Sequence, residues 1–202
     1  LDLKVGKVYG SDKEIDPEAQ GYIHLSPMIE KYMKYMNIKS NNYFADQIFD
    51  RLGGEKEFDK YFASIADEVN AGHEKTRVGY DKDEATVKMF TGSGLNTTRS
   101  GSRVDNFANC ATVVGLVKRL NSQLDELGTT IQKVVAVPGT DGGTFSKRLN
   151  SRRLNKTIVA KTGTLYHTSA LAGLIKMQGD DIAFGIFHQM TGWKGGAKIV
   201  QN

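Results

Sequence analysis

With 202 residues, 39% of them hydrophobic and 25% charged, the chain has the material for one globular domain, or one and a half, with a buried core. A net charge of +4 and a pI near 9.0 are mild, and no run reaches the roughly 18 apolar residues that a bilayer span requires. One cysteine, Cys110, excludes an internal disulfide.

Residues 1–23 are rich in Gly and charge and read as a strand or arm leading into a domain over 24–202. They begin without Met and without the apolar region of a signal peptide, as expected of a processed, truncated or cleaved product. Ser26-Pro27 forms a helix start, and Met28, Ile29, Tyr32, Met33 and Met36 then recur at helical spacing to about Asn37. Ser40 opens the next helix, with Phe44, Ile48 and Leu52 on one face and Gly53-Gly54 as its stop. A third helix is predicted from Lys56 to Asn70 on Phe58, Phe62, Ile65 and Val69, followed by a polar loop over 71–84.

Thr86 to Phe90 alternates briefly before Gly92-Ser93-Gly94-Leu95, and the Ser, Thr, Gly and Arg of 96–104 read as loop. Ser102 or Asp105 is the expected cap of a long helix through Leu120, and Cys110 on that helix is expected to be a small buried hydrophobe. Val137-Pro138-Gly139-Thr140-Asp141-Gly142-Gly143 is turn-rich, and Thr144 to Leu149 forms a short helical piece. From Thr157 the period shortens to two: Thr157–Lys161, Ala170–Met177 and Ile182–Phe187 predict an antiparallel meander. A helical pattern starts after Gly195-Gly196.

Two short motifs carry chemistry. Lys161-Thr162-Gly163-Thr164 ends a predicted strand, putting a cation and two hydroxyls where a carboxylate can be held. Gly163 lets a substrate backbone lie against the strand as an added one, and a strand N–H can face a developing oxyanion. As a phosphate loop it fails, since the longer glycine-rich pattern before the Lys is absent. Ser40-Asn41-Asn42 sets a hydroxyl and an amide two residues apart, with Ser40 able to relay a proton and Asn42 able to bind a carbonyl or a lysine. By themselves the first is a common polar turn and the second an ordinary helix cap. The histidines, His24, His73, His167 and His188, have no metal-ligand spacing, and no base lies near Cys110 in sequence. The basic residues are spread, apart from Lys147-Arg148 and Arg152-Arg153, without the interleaved aromatics of a single-strand binder.

The words around these motifs sharpen the reading. Ser26-Pro27 ahead of Lys39-Ser40-Asn41-Asn42-Tyr43-Phe44-Ala45-Asp46-Gln47, then Gly92-Ser93-Gly94-Leu95, then Val137–Thr144, then Ala160–Leu165 and Ser169–Gly173, resemble in order and approximate spacing the peptidase S13 family. These are D-alanyl-D-alanine carboxypeptidases/endopeptidases of the penicillin-binding protein 4 type, and the resemblance covers about residues 24–190. It implies part of a penicillin-binding transpeptidase/β-lactamase-like α+β domain, an antiparallel sheet flanked by helices. Ser40 and Asn42 match the family's second motif and Lys161, Thr162 and Gly163 the third. Thr164 matches the position whose backbone N–H forms half of the oxyanion hole.

In such enzymes a Ser attacks the bond between two D-alanines of peptidoglycan, a Lys one helical turn later acts as base, and water resolves the acyl-enzyme. β-Lactams acylate the same Ser, no metal or organic cofactor is implied, and the setting is the periplasm or cell envelope. Yet no Ser in the chain has a Lys three residues on, so the attacking residue is expected outside it and the isolated chain is expected to be inactive. The family's first two strands should precede this segment too. Without them the last strand would offer an open edge, and pairing with an upstream portion of the same protein is expected. Thr91 stands where the family has Asp, so the Gly92–Leu95 loop should be held differently. The rival reading is a non-catalytic peptidoglycan- or β-lactam-binding module. A basic nucleic-acid binder has little support.

Overall fold

The computed structural model describes residues 27–73, 87–149, 151, 156–165 and 168–189. The expected arm over 1–23, the Ser26 cap, the Val69 side chain, Arg152-Arg153 and the pattern after Gly195-Gly196 lie outside the described residues.

Three helices come first: α1 (Ile29–Lys39), α2 (Asn42–Arg51) and α3 (Gly54–His73). The 3–4 spacing of apolar residues drew α2 and α3 correctly, and both pack through an aromatic file in which Phe49 stacks on Phe58 at 4.8 Å and Phe58 on Phe62 at 5.7 Å. The helix ends differ from expectation. Met28 is the N-cap of α1, with no side-chain cap, and both Met28 and Ile29 are exposed; Met33 is the residue of the stripe that packs on the core. Ser40 does not open α2. It terminates α1 in the left-handed conformation (φ 52°), and Asn41 caps α2 by accepting the Phe44 N–H at 3.0 Å. α3 runs on to His73, into the stretch expected to be loop.

Short strands follow. β1 (Val87–Lys88) pairs with β4 (Phe107–Ala108). Between them β2 (Thr97–Arg99) and β3 (Ser102–Val104) form a hairpin where loop was expected. Neither hairpin strand has a buried side chain, so no apolar alternation announces them. Ser100 (φ 50°) and Gly101 (φ 78°) supply the turn. The long helix α4 spans Cys110–Glu126 and starts later than Ser102 or Asp105, because 107–108 is spent on strand pairing and Asn109 takes the cap, accepting the Thr112 N–H at 3.0 Å. Cys110 is thereby left exposed in the first turn rather than buried.

The chain then makes 3-10 turns at Ile131–Lys133 and Gly143–Phe145, the second being all that forms of the helical piece expected over 144–149. It ends in the meander β5 (Ile158–Thr164), β6 (Thr168–Ile175) and β7 (Ile182–Gln189), in the order β5-β6-β7. β5 and β7 run longer than expected, and β6 begins before Ala170 and ends at Ile175 rather than Met177, with Thr164 pairing with Ser169 and Thr168 with Gln189.

Pleating sends alternate side chains to opposite faces. Val159, Leu174 and Ala183 pack with Ile131, Val134, Val135 and Val137, against Met33 of α1 and Val117 and Leu124 of α4. Ile158, Ala160 and Leu171 pack with Ala136 and Phe145, together with Ile38 and Phe184. Ile131 and residues 134–138 are thus buried between the helices and β5, and the Ala160 N–H donates to the Ala136 carbonyl at 3.0 Å. At the far side β7 pairs with β6 and with no other described strand, leaving Ile182 and Ile186 exposed.

Candidate active site

The two motifs meet. Lys161 lies 121 residues from Ser40 in sequence, yet its Nζ donates to Ser40 Oγ at 2.8 Å and to the Thr162 carbonyl at 2.6 Å. Each is placed by the end of an element. Ser40 sits where α1 stops and the chain turns, under the Asn41 N–H bond to Met36 O at 3.0 Å, into α2. Lys161 projects from the half of β5 beyond Ala160, where Ala136 no longer covers the strand's outer edge.

A left-handed serine is uncommon, since its Cβ crowds the following carbonyl, and such strain is retained where the side chain must point somewhere particular. Here it points at Lys161. Burial lowers the Lys161 amine from its usual value of 10.5 to about 8, because desolvation penalises the ammonium form. A lysine so tuned exists in both protonation states near neutral to mildly basic pH and can give or take a proton through the hydroxyl it touches.

Of the remaining motif residues, Thr162 touches this pair through its carbonyl. Asn42 is exposed at the first position of α2. Thr162 and Thr164 alternate with Lys161 along the pleat, Thr162 buried and Thr164 exposed. Because Ala160 donates outward to Ala136, parity sends the Thr162 and Thr164 N–H groups to that same edge. An added Cβ on Gly163 would sit 3.4 Å from the Ala170 Cβ, so the strand is close-packed there.

The Gly92–Leu95 loop is held against α2. The Ser93 N–H donates to Asp46 Oδ1 at 2.7 Å. Thr91 Oγ1 donates to the Leu95 carbonyl at 2.7 Å, and the Leu95 N–H donates to Ser93 Oγ at 3.2 Å. Asn106 closes the loop from below: Oδ1 accepts from the N–H groups of Phe90 (2.8 Å) and Thr91 (3.2 Å), and Nδ2 donates to Thr91 O (2.7 Å). Ser93 is therefore a turn residue, without Lys or His against its hydroxyl among these bonds.

Sequence reasoning missed the polar ties between α1 and the segment that precedes β5. Lys34 on α1 donates to the carbonyls of Gln132 and Val135, each at 2.7 Å, and to the Asp141 carboxylate. Asn37, three residues on, donates to Val134 O at 2.8 Å. An Asp inside a Gly-rich turn was the available signal, since that side chain habitually accepts a nearby backbone N–H; Asp141 takes Val137's at 2.7 Å.

A serine at the junction of two helices, set against the lysine of an antiparallel meander, marks a penicillin-binding-protein-like α+β protein. Comparison with known proteins agrees: residues 6–199 match the model of the D-Ala-D-Ala carboxypeptidase 3 (S13) family. The chain belongs to that family. It is 28% identical over 166 residues to the D-alanyl-D-alanine carboxypeptidase of Actinomadura sp. (strain R39), covering 80% of this chain and 28% of the other. Among solved structures, it resembles the predatory endopeptidase Bd0816 of Bdellovibrio bacteriovorus, in complex with the immunity protein Bd3460 (TM-score 0.67, 25% identity, 85% of this chain and 40% of that one). It also resembles penicillin binding protein 4 (dacB) of Haemophilus influenzae complexed with a β-lactam (TM-score 0.51, 26% identity, 80% of this chain and 35% of that one). The chain thus spans less than a third of the curated relative and two-fifths or less of these two solved chains.

Proposed function

We propose that this chain carries the Ser-x-Asn and Lys-Thr-Gly half of a serine-type D-alanyl-D-alanine carboxypeptidase/endopeptidase acting on peptidoglycan stem peptides in the periplasm or cell envelope. The observation that supports it is the contact of Lys161 Nζ with Ser40 Oγ at 2.8 Å, between the two family motifs. The nucleophile is a Ser of a Ser-x-x-Lys helix outside residues 1–202, in an upstream portion that also supplies a strand to the edge of β7 that no described strand covers.

In this reading the substrate peptide lies along the outer edge of β5, where the Thr164 N–H helps to hold the oxyanion. Thr162, Thr164 and Lys161 hold the terminal carboxylate, and Asn42 holds a substrate carbonyl or the upstream lysine. As the upstream serine's Oγ–carbonyl bond forms, its proton passes to the lysine one helical turn later; as the C–N bond breaks, the leaving amine takes a proton from Ser40 Oγ, which is replenished from Lys161 Nζ. Water then releases the acyl group. β-Lactams enter by the same attack, and their ring amide is the bond that opens.

Intact-mass spectrometry after incubation with a penicillin tests this, on the chain and on the longer protein extended upstream. Gain of one penicillin mass by the longer protein alone places the nucleophile upstream and supports the reading. Gain by the chain alone would show that one of its own serines attacks and that Ser40 is no simple relay. The missing Ser-x-x-Lys keeps a second reading in play, a non-catalytic peptidoglycan- or β-lactam-binding module. It is the reading that remains if both forms bind penicillin reversibly and neither gains mass.

A further inference from the structure

Ser40 and Lys161 belong to different elements, and the accuracy of their contact depends on how α1 is set against β5. Helix α1 presents Glu30, Lys34 and Asn37 along one side at helical spacing. All three engage one segment: Glu30 accepts from Thr129 Oγ1 at 3.3 Å, Asn37 donates to Val134 O, and Lys34 bridges Gln132 O, Val135 O and the Asp141 carboxylate. Lys34 and Asp141 are largely withdrawn from water, with side-chain exposures of 21% and 15%. The lysine satisfies carbonyls at the end of the Ile131–Lys133 turn, and Asp141 closes the following turn on the Val137 N–H.

The same segment holds β5. Ala136, fully buried and next to Val135, accepts the N–H of Ala160, the residue before Lys161. Beyond Asp141 the seam continues, since a Cβ on Gly143 would come within 2.0 Å of the carbonyl of Ile38, two residues before Ser40. The route from one motif to the other therefore runs α1, Lys34–Asp141, Val135–Ala136, Ala160, Lys161.

We propose that Lys34 and Asp141 are a positioning pair that sets the Ser40 hydroxyl against the Lys161 amine. This rests on Ser40 and Lys161 being the working pair, but its test needs no turnover.

The amine of Lys161 can be titrated by pulse acylation with acetic anhydride over pH 6–11, read at its peptide by mass spectrometry, in the full chain and in Lys34→Met, Asp141→Asn and Lys34→Arg. Asn at 141 keeps an acceptor for Val137, which guards the fold. Loosening the contact rehydrates Lys161, so both Lys34→Met and Asp141→Asn should raise its midpoint from about 8 towards 10.5, by on the order of one unit. At pH 8 that lowers the neutral fraction about fivefold. Lys34→Arg, which keeps the charge and the donors, should restore the parent midpoint.

Midpoints that move in opposite directions in Lys34→Met and Asp141→Asn would show a through-space charge effect and overturn positioning. Unchanged midpoints with a lowered melting temperature would make the pair a fold prop only, and also overturn it. Failure of penicillin to label the longer protein would count against the catalytic reading and leave this result standing.

Discussion

Lys161 Nζ donates to Ser40 Oγ at 2.8 Å, and Ser40 receives it from a backbone held at φ 52°, ψ 52°. The hydroxyl is aimed at the amine from a conformation that a glycine would adopt more easily. This separates the worth of the side chain from the cost of its backbone.

Replacing Ser40 with Gly removes the hydroxyl and also relieves the left-handed strain, whereas Ser40→Ala removes the hydroxyl and keeps the strain. Ser40→Gly should be more stable than Ser40→Ala by about 1 kcal/mol in urea unfolding. Equal stabilities would mean that φ at this position is not left-handed in solution. Asn41→Ala, which removes the true cap of α2, should cost about 1 kcal/mol in the same assay.

Burial of Lys161 carries a pH signature. Its native value of about 8 is below the unfolded 10.5. Below pH 8 both states hold the proton and the native state bears the full desolvation cost. Between 8 and 10.5 the native amine is neutral while the unfolded one is still charged, so stability rises with pH through that window and then levels. The stability difference between Lys161→Met and the parent should therefore shift in the parent's favour by about 2–3 kcal/mol from pH 7 to pH 10.5. A difference flat with pH would show an amine titrating as in water.

Gly92 is required by contact rather than by φ. A Cβ there would come 2.2 Å from the Ala45 carbonyl oxygen and 2.6 Å from the Phe49 Cβ, both on α2. Gly92→Ala should cost about 3 kcal/mol by thermal or urea unfolding, because helix backbone cannot give way. Gly179→Ala, with nothing within 4 Å, should stay within about 0.5 kcal/mol of the parent.

The loop after Gly92 is tied by single polar bonds whose loss can be read locally. Asp46→Ala should cost about 1–2 kcal/mol and speed hydrogen exchange at the Ser93 amide, which loses its acceptor. Asn106→Ala removes three bonds to Phe90 and Thr91 and should cost more, about 2–3 kcal/mol. Undiminished protection at Ser93 in Asp46→Ala would show that Asp46 does not hold the loop.

The elements that bury one face were legible in the sequence. Phe58, Phe62 and Ile65 recur at helical spacing and drew α3, and the period-two runs after Thr157 drew the meander in its observed order. The Thr97–Val104 hairpin was not legible, because its strands bury no side chain and leave no apolar alternation. The start of α4 was misread for a related reason. Ser102, Asp105 and Asn109 are all able caps, and only the pairing of Phe107-Ala108 with β1 settles which one is used.

By itself the sequence determined the family vocabulary, Ser40-Asn41-Asn42 and Lys161-Thr162-Gly163, and the local periods that fold each around its own element. Those signals are short-ranged, being set by neighbours within a few residues. The tertiary structure alone decided that Ser40 would leave α1 left-handed, that Lys161 would be desolvated against it, and that Lys34 would tie α1 to Asp141. The last two relationships join residues 121 and 107 positions apart. They follow from how buried backbone carbonyls, a partly buried cation and close helix–turn contact satisfy one another, which no local pattern encodes.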